Sequence, residues 1–473
     1  MNRVGTTCAV FHRALGFVGL WVFGSLAAQL DGLVGPNGIR PAVDFIARVV
    51  EHFEARSESA FLALPTLTLF VGADPLALHG LCAAGLFASV FLLAGRPKLP
   101  CLMVMWVTYL SLTQVGAEFF RYQWDALFLE TTFAAMFYTP RLKASVVLPR
   151  LILFKLIFSS GVVKLLSADP TWANLTALDV HYFTQPLPNV VGYLAHFAPG
   201  HTAACLLMFF VELLVAPLIF FRPAWSFLPI AGLMFAINGT GNYGFFGPLT
   251  IALCCPLLSD ATWARLLHRV GIVARPASVA KPRLWTRVHV PAVVALAVVL
   301  AMPVVGLLGR GDPTSPFTRL RAAVIDPFDG WGIVSGYGLF AQMTTTRDEI
   351  TLEGSRDGST WLPYRFRYKP NDANDAPRSA LFHMPRLDWQ MWFAALGTCD
   401  HNRWFLALED KLLDHSSAVS GLFAVNPFGD APPLFLRSRV NRVKFAPLSA
   451  LAYWEVDAES RPYCPEEARP PAP

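Results

Sequence analysis

The sequence predicts a polytopic α-helical membrane protein of eight or nine apolar spans, followed by a β-rich (α+β) extracytoplasmic domain. Three observations carry this expectation. Of 473 residues, 54% are hydrophobic and only 15% charged, against about a quarter charged in ordinary soluble domains. Apolar runs recur as far as residue 308, after which charge, proline and a two-residue alternation take over. Many basic residues sit in short loops between apolar runs, as the positive-inside rule produces, so a net charge of +5 does not mark a nucleic-acid binder.

The first apolar run covers 15–34, preceded by Arg3, His12 and Arg13. Ser25-Leu26-Ala27 offers a small-residue cleavage site, but the many runs that follow favour an uncleaved first helix. Residues 35–60 are mixed in charge and partly amphipathic. Further runs cover 76–95, 100–118, 124–139, 146–166, 203–221, 224–238, 246–258 and 289–308. Several fall short of the roughly 20 residues a full crossing needs, which predicts tilted, broken or paired segments. Arg3 and Arg13, Arg96 and Lys98, Arg141 and Lys143, Arg222, and the basic residues from Arg265 to Arg287 lie on alternate loops. With nine spans these share the cytoplasmic side, and the chain beyond 309 lies outside. The expected divisions are a bundle over 1–308, an extracytoplasmic domain over 309–461 and a disordered proline-rich tail over 462–473.

Within the second part, Ile350–Gly354 and Trp361–Tyr368 flank Asp357-Gly358, the signature of a looser hairpin. Arg386–Leu396 and Trp404–Leu413 read as helices. Six cysteines lie in or beside apolar runs and read as packed hydrophobes, whereas Cys399 and Cys464 lie in the polar part, where export permits pairing. There is no CxxC pair and no Cys/His cluster at ligand spacing, so neither metal nor cofactor is expected.

Two apolar stretches, 121–132 and 158–172, carry groups that are expensive in a bilayer and need partners. Glu118, Arg121 and Asp125 fall at i, i+3 and i+7 of one helical face, with Gln123 beside them and Glu130 rotated away. They read either as a polar site at the outer boundary or as a salt-bridge cluster that orients the helix. Lys155 and Lys164 fall on opposite faces of one helix, which argues against a shared partner. Lys155 lies deep and calls for Glu130, Asp125 or Glu212; Lys164 lies near the outer end, where snorkelling is the default, with Ser160 between the two. A desolvated lysine can also serve as a base, so Glu130, Lys155, Lys164 and His181 form the candidate set of an enzyme reading. Asp179, His181, Tyr182 and Gln185 precede Pro186-Leu187-Pro188 in an external loop that reads as a lid or as ordinary surface. Gly239–Gly244 satisfies G-x-G-x-x-G, but it stands between two apolar runs and reads as a helix break. No Walker A, G-x-S-x-G or H-E-x-x-H motif occurs.

The runs Gln123–Glu130, Phe158–Lys164 with Asp169–Trp172, and His181-Tyr182 with Thr184–Pro188 resemble the lipase maturation factor family. So do Gly241–Phe246, Tyr337–Phe340, Glu353-Gly354-Ser355 with Asp357-Gly358 and Trp361, Pro385–Leu396 and Asn426-Pro427-Phe428. The resemblance implies a membrane protein that assists folding and assembly of secreted lipases, its partners being such clients and membrane lipid. In animals it implies the endoplasmic reticulum with a lumenal C-terminal domain. The compact loops here fit a bacterial homologue of the inner membrane with a periplasmic domain. Arg386, Asp388, Trp389, Gln390 and Trp392 are the client-binding candidates; Trp389, Trp392 and Phe393 at i, i+3 and i+4 equally suit a core face. The first half also resembles, distantly, the membrane domain of vitamin K-dependent carboxylases. That likeness supports the alternative of an intramembrane enzyme for a lipid or quinone-like substrate, and a transporter-like pathway is a third reading.

Overall fold

The computed structural model describes residues 5–272 and 283–468, the side chains of 283–287 excepted. Arg3, Arg275 and Lys281 of the expected cytoplasmic loops lie outside the described residues.

Each expected apolar run contains helix. The helices are Thr6–Ala27 with Leu30–Val34, Pro75–Leu93, Lys98–Val115, Gln123–Phe137, Val147–Leu166, His201–Phe209 continuing into Phe210–Val215, Pro223–Thr240, Phe246–Cys254 and Arg283–Gly306. Among the described residues, four stretches are long and apolar enough to cross a membrane: Thr6–Ala27, Pro75–Leu93, Lys143–Leu166 and Val288–Gly309. Val190–His196 and His201–Val215 form a pair bent by 111°, a broken span or re-entrant loop that raises the number to five. The expected eight or nine is therefore not reached by length and composition. Gln123–Phe137 shows why: 15 residues rise about 22 Å, short of a hydrocarbon core of about 30 Å, and the helix carries two acids.

Small residues let the helices approach. A Cβ on Gly16 would lie 2.6 Å from the Leu93 backbone nitrogen, and one on Gly85 would lie 2.2 Å from the Phe23 ring.

The C-terminal half is built on an antiparallel sheet ordered β2-β1-β3-β4, with β5 pairing β3. The strands are β1 (Arg347–Ser355), β2 (Leu362–Pro363), β3 (Phe435–Phe445), β4 (Trp454–Pro462) and β5 (Glu467–Ala468). The expected hairpin forms at Asp357-Gly358, where Asp357 Oδ1 accepts from the backbone of Ser359 and Thr360 at 2.8 and 2.7 Å. Its second strand is shorter than expected. Past Pro363, Tyr364 still donates to Leu352 O at 2.9 Å, and Arg365 then bridges Val425 instead. Helices occupy Arg386–Ala395 and Arg403–Leu413.

Cys399 and Cys464 are disulfide-bonded with Cα atoms 5.3 Å apart. That bond and β5 order the chain to residue 468, which corrects the expectation of a disordered tail from 462; residues 469–473 lie outside the described residues. One apolar core runs from Phe11 and Val22 through Phe128 and Phe245 to Met384, Trp404 and Phe428, crossing residue 308 without a seam.

Candidate functional site

The acids and bases of the first half are completed largely by the second. Asp125, on the first turn of the Gln123–Phe137 helix, receives Arg386 from the other half. Nη2 donates to Oδ1 at 2.7 Å and Nη1 to Oδ2 at 3.0 Å, a two-pronged pair in which both side chains are buried. Arg386 Nη1 also donates to Phe119 O at 2.6 Å, and the guanidinium lies 4.2 Å from the centre of the Phe120 ring. Tyr109 donates its hydroxyl to the same carboxylate. The expected helical face of Glu118, Arg121 and Asp125 does not exist. Ala117–Phe120 is a 3-10 turn, with Ala117 at φ 44°, and Arg121 stands outside the helix, exposed. Glu118 pairs instead with Arg40 at 3.3 Å.

One turn further along, Glu130 is fully buried between Lys155 and Tyr337, both of which donate to it. This is one of the three partners the sequence offered Lys155. Gly338 N reaches Gln123 Oε1 at 3.4 Å. The segment around Tyr337–Phe340 thus lies as a strap across the helix ends. Its far end is tied down by Asp169, which caps Pro170–Ala173 through Thr171 N at 2.8 Å and also accepts from Met343 N at 2.8 Å. Trp172 Nε1 donates to Phe340 O at 2.9 Å.

A third tie starts at the first residue of β1. Arg347, fully buried, donates to the carbonyls of Phe183 at 3.0 Å and Pro186 at 2.8 Å, and also to Gln185 O. Its charge is met by Glu349 at 2.5 Å, which Lys369 meets from the other side at 3.0 Å. Asn242, inside the glycine-rich run, receives Ala380 N at 2.7 Å and donates to Arg378 O at 2.7 Å. That run is a helix break, as expected: the helix ends at Thr240, and Gly244 takes φ 53° beneath Met384.

The client-facing candidates are turned inward. Asp388 Oδ1 accepts from Tyr368 N and Lys369 N at 2.7 and 3.0 Å, and Trp389 Nε1 donates to Asn242 O at 3.0 Å. Gln390 Oε1 accepts from Tyr122 at 2.7 Å, and half-buried Trp392 donates to Thr184 O at 2.8 Å. Arg386 to Met391 are all buried, leaving Phe393 and Leu396 at the surface.

The remaining charges frame a cavity. Lys164 does not snorkel. It is buried and donates to both oxygens of Glu212, at 2.6 and 2.7 Å. Glu212 is delivered by a π-helical turn, Phe210–Val215, and a carboxylate at bonding distance outweighs a reach towards water. Behind this pair lies a cavity of about 520 Å3, between the 147–166, 201–215 and 223–240 helices. Ser160, Trp172, His181, Tyr243 and Phe340 also line it. Ser160 Oγ itself donates to Leu156 O at 2.7 Å. Burial, helped by the Lys164 charge, lowers the His181 imidazole to about 4, so the ring is neutral. Among the described residues no group of three or more His, Cys, Asp or Glu is arranged to hold a metal ion.

Sequence reasoning missed Arg347, Asn242 and Tyr337 as fasteners and saw Glu212 only as an option for Lys155. An acid in mid-span was signal enough for Glu212. For Arg347, the only local signal was Glu349 two residues on, on the same strand face.

Comparison with known proteins agrees in both halves. Residues 6–265 match the model of the lipase maturation factor transmembrane domain, and 333–460 match that of the C-terminal domain. The chain is 30% identical to lipase maturation factor 2 of Xenopus laevis, covering 91% of this chain and 77% of that one. It is 31% identical to human lipase maturation factor 1, over 93% and 83%, and 31% identical to the Bos taurus factor 1, over 99% and 90%. No solved structure matches.

Proposed function

Because the chain belongs to the lipase maturation factor family, we propose that it is a membrane-embedded maturation factor assisting the folding and assembly of secreted lipases or similar exported clients. The observation that carries this is the match of both halves, in order, to factors of that name. The three ties described above suit such a role, because they hold the C-terminal half at a fixed height over the bundle.

On this reading all nine apolar segments lie within the membrane as whole or partial spans, and the divisions at 308 and 461 are functional rather than seams in the core. The C-terminal half is extracytoplasmic, in a bacterial periplasm or, in a eukaryotic host, the lumen of the endoplasmic reticulum. Two features support that side: the Cys399–Cys464 disulfide suits an oxidising compartment, and residues 167–200 contain no lysine or arginine. Client contact by the 386–395 helix falls to Phe393 and the half-buried Trp392. The enzyme alternative finds no support: Glu130 and Lys155 hold one another, Lys164 is held by Glu212, and the relatives are named for maturation.

The test is a host lacking its own factor that secretes a lipase, with and without this chain. The expected outcome is a several-fold rise in specific activity of secreted lipase at equal lipase synthesis. Equal activity with the chain inserted in the membrane and absent from it overturns the reading.

A further inference from the structure

We propose that the 520 Å3 cavity behind the Lys164–Glu212 pair is a binding site for an uncharged glycerolipid of the mono- or diacylglycerol class. Its volume falls within the ~300–1,000 Å3 of small-molecule sites. Its polarity runs in one direction. Lys164, Glu212, His181 and Tyr243 gather at one end, where the Val147–Leu166 helix reaches its last turn. From there the wall descends past Ser160 to Leu156, eight residues or about 12 Å along the helix, joined by Val211, Leu228 and Leu233.

The mouth opens sideways between the 201–215 and 223–240 helices. Leu207, Phe210 and Leu228 line it and are more than half exposed, on a surface that a soluble protein would have to cover. An occupant therefore enters from the bilayer with its chain downward and its head at the boundary. Pure hydrocarbon would leave the polar end of the cavity, His181 above all, facing an apolar ligand with no hydrogen bond to exchange.

The head is uncharged because the site is. Lys164 and Glu212 satisfy one another through both oxygens, so an anionic or cationic head would have to separate them. The neutral His181 ring offers a hydrogen bond to a hydroxyl or ester carbonyl: its Nε2 makes only a long 3.5 Å contact with the Tyr243 hydroxyl, which donates to Gln185 Oε1 at 2.9 Å. Phe340 closes the top, 5.1 Å from the His181 ring centre. This inference needs the membrane bundle but not the maturation role, so the two fail separately.

The experiment uses the full chain in phosphatidylcholine nanodiscs with a photoreactive diacylglycerol. Labelling is expected on peptides spanning 204–212 and 228–237, with dioleoylglycerol competing at concentrations about tenfold lower than dioleoylphosphatidylglycerol. Gly232→Trp should abolish it at unchanged melting temperature: a Cβ there meets nothing within 4 Å, so the backbone accepts a side chain that fills the mouth. Gly232→Leu serves the same purpose should the indole prevent folding. Labelling that persists in these variants, or that spreads evenly over all exposed helices, overturns the site. Equal competition by the anionic lipid overturns the uncharged head.

Discussion

Lys155 and Lys164 stand on one helix, carry the same charge and each meets one glutamate, yet they occupy different kinds of place. Lys155 and Glu130 are wholly enclosed, and Tyr337 covers the carboxylate from the other half of the chain. Lys164 and Glu212 are nearly as buried, but they line a cavity whose other walls include the exposed Leu207, Phe210 and Leu228. The sequence treats the two lysines alike except in depth; the neighbours supply the difference. An ion pair with packed surroundings on every side can only hold parts together. The same pair on the wall of a cavity can also meet a ligand. A charge in an apolar helix is therefore weak evidence of chemistry until the space around it is known.

Substitution separates the two places. The largest effect is expected from Lys155→Ala, which strands a fully buried carboxylate and should cost about 3–5 kcal/mol, read as a large fall in melting temperature or in accumulated protein. An unchanged melting temperature would break the contrast. Lys164→Ala should cost less, about 1–3 kcal/mol, because water or a lipid head can reach Glu212 through the cavity; a loss equal to that of Lys155→Ala would erase the distinction.

Glu409 supplies the reference case of a buried acid without a cation. Among the described residues no cation faces its carboxylate, and burial, then neighbouring Glu467, raises it to about 8, with the Ser438 hydroxyl close enough to offset only part of that rise. A folded-state value above the ordinary 4.5 means that stability is fully present below that pH and is lost as pH rises towards 8. Glu409→Gln, which mimics the protonated acid, should therefore gain on the order of 1 kcal/mol at pH 8 and much less at pH 5. Thermal melts across that range give the answer, and a constant difference would deny the shift. The smallest effect is expected from the double change Lys155→Met with Glu130→Gln, within about 1 kcal/mol of the native chain, because replacing both members of a buried pair is often neutral.

Much of this arrangement was legible in the sequence. Long apolar runs are a strong signal, and every one contains helix. Glu130 was among the named partners of Lys155 because few carboxylates lie at that depth. The Asp357-Gly358 hairpin and the two C-terminal helices follow from local turn chemistry and periodicity. What escaped is non-local. Arg386 and Asp125 are 261 residues apart, and no window of sequence contains both. The helix at 386–395 looked client-facing because it mixes charge with aromatics, yet that mixture is what a buried junction with several hydrogen bonds requires. β3 escaped for a different reason. Its inward residues include Leu436, Ser438 and Val440, and Ser438 interrupts the apolar alternation while Arg437 and Arg439 mask it. Eight or nine spans remain unconfirmed by length and composition, because several apolar runs fold as helices shorter than a full crossing, the shortfall their lengths in the sequence already foretell.

The Arg386–Asp125 tie also constrains how the chain is made. At ~5–20 residues per second, a ribosome that has just added Asp125 needs roughly 13–50 s to add the 261 residues that bring Arg386. During that interval the early helices enter the membrane with an acid whose cation has not yet been synthesised. Lys155 follows Glu130 after only 25 residues, so that acid waits briefly by comparison. A nascent chain stalled before Arg386 is made therefore holds Asp125 with the Tyr109 hydroxyl but without its cation, so the helical half reaches its final electrostatic balance only when the C-terminal half arrives.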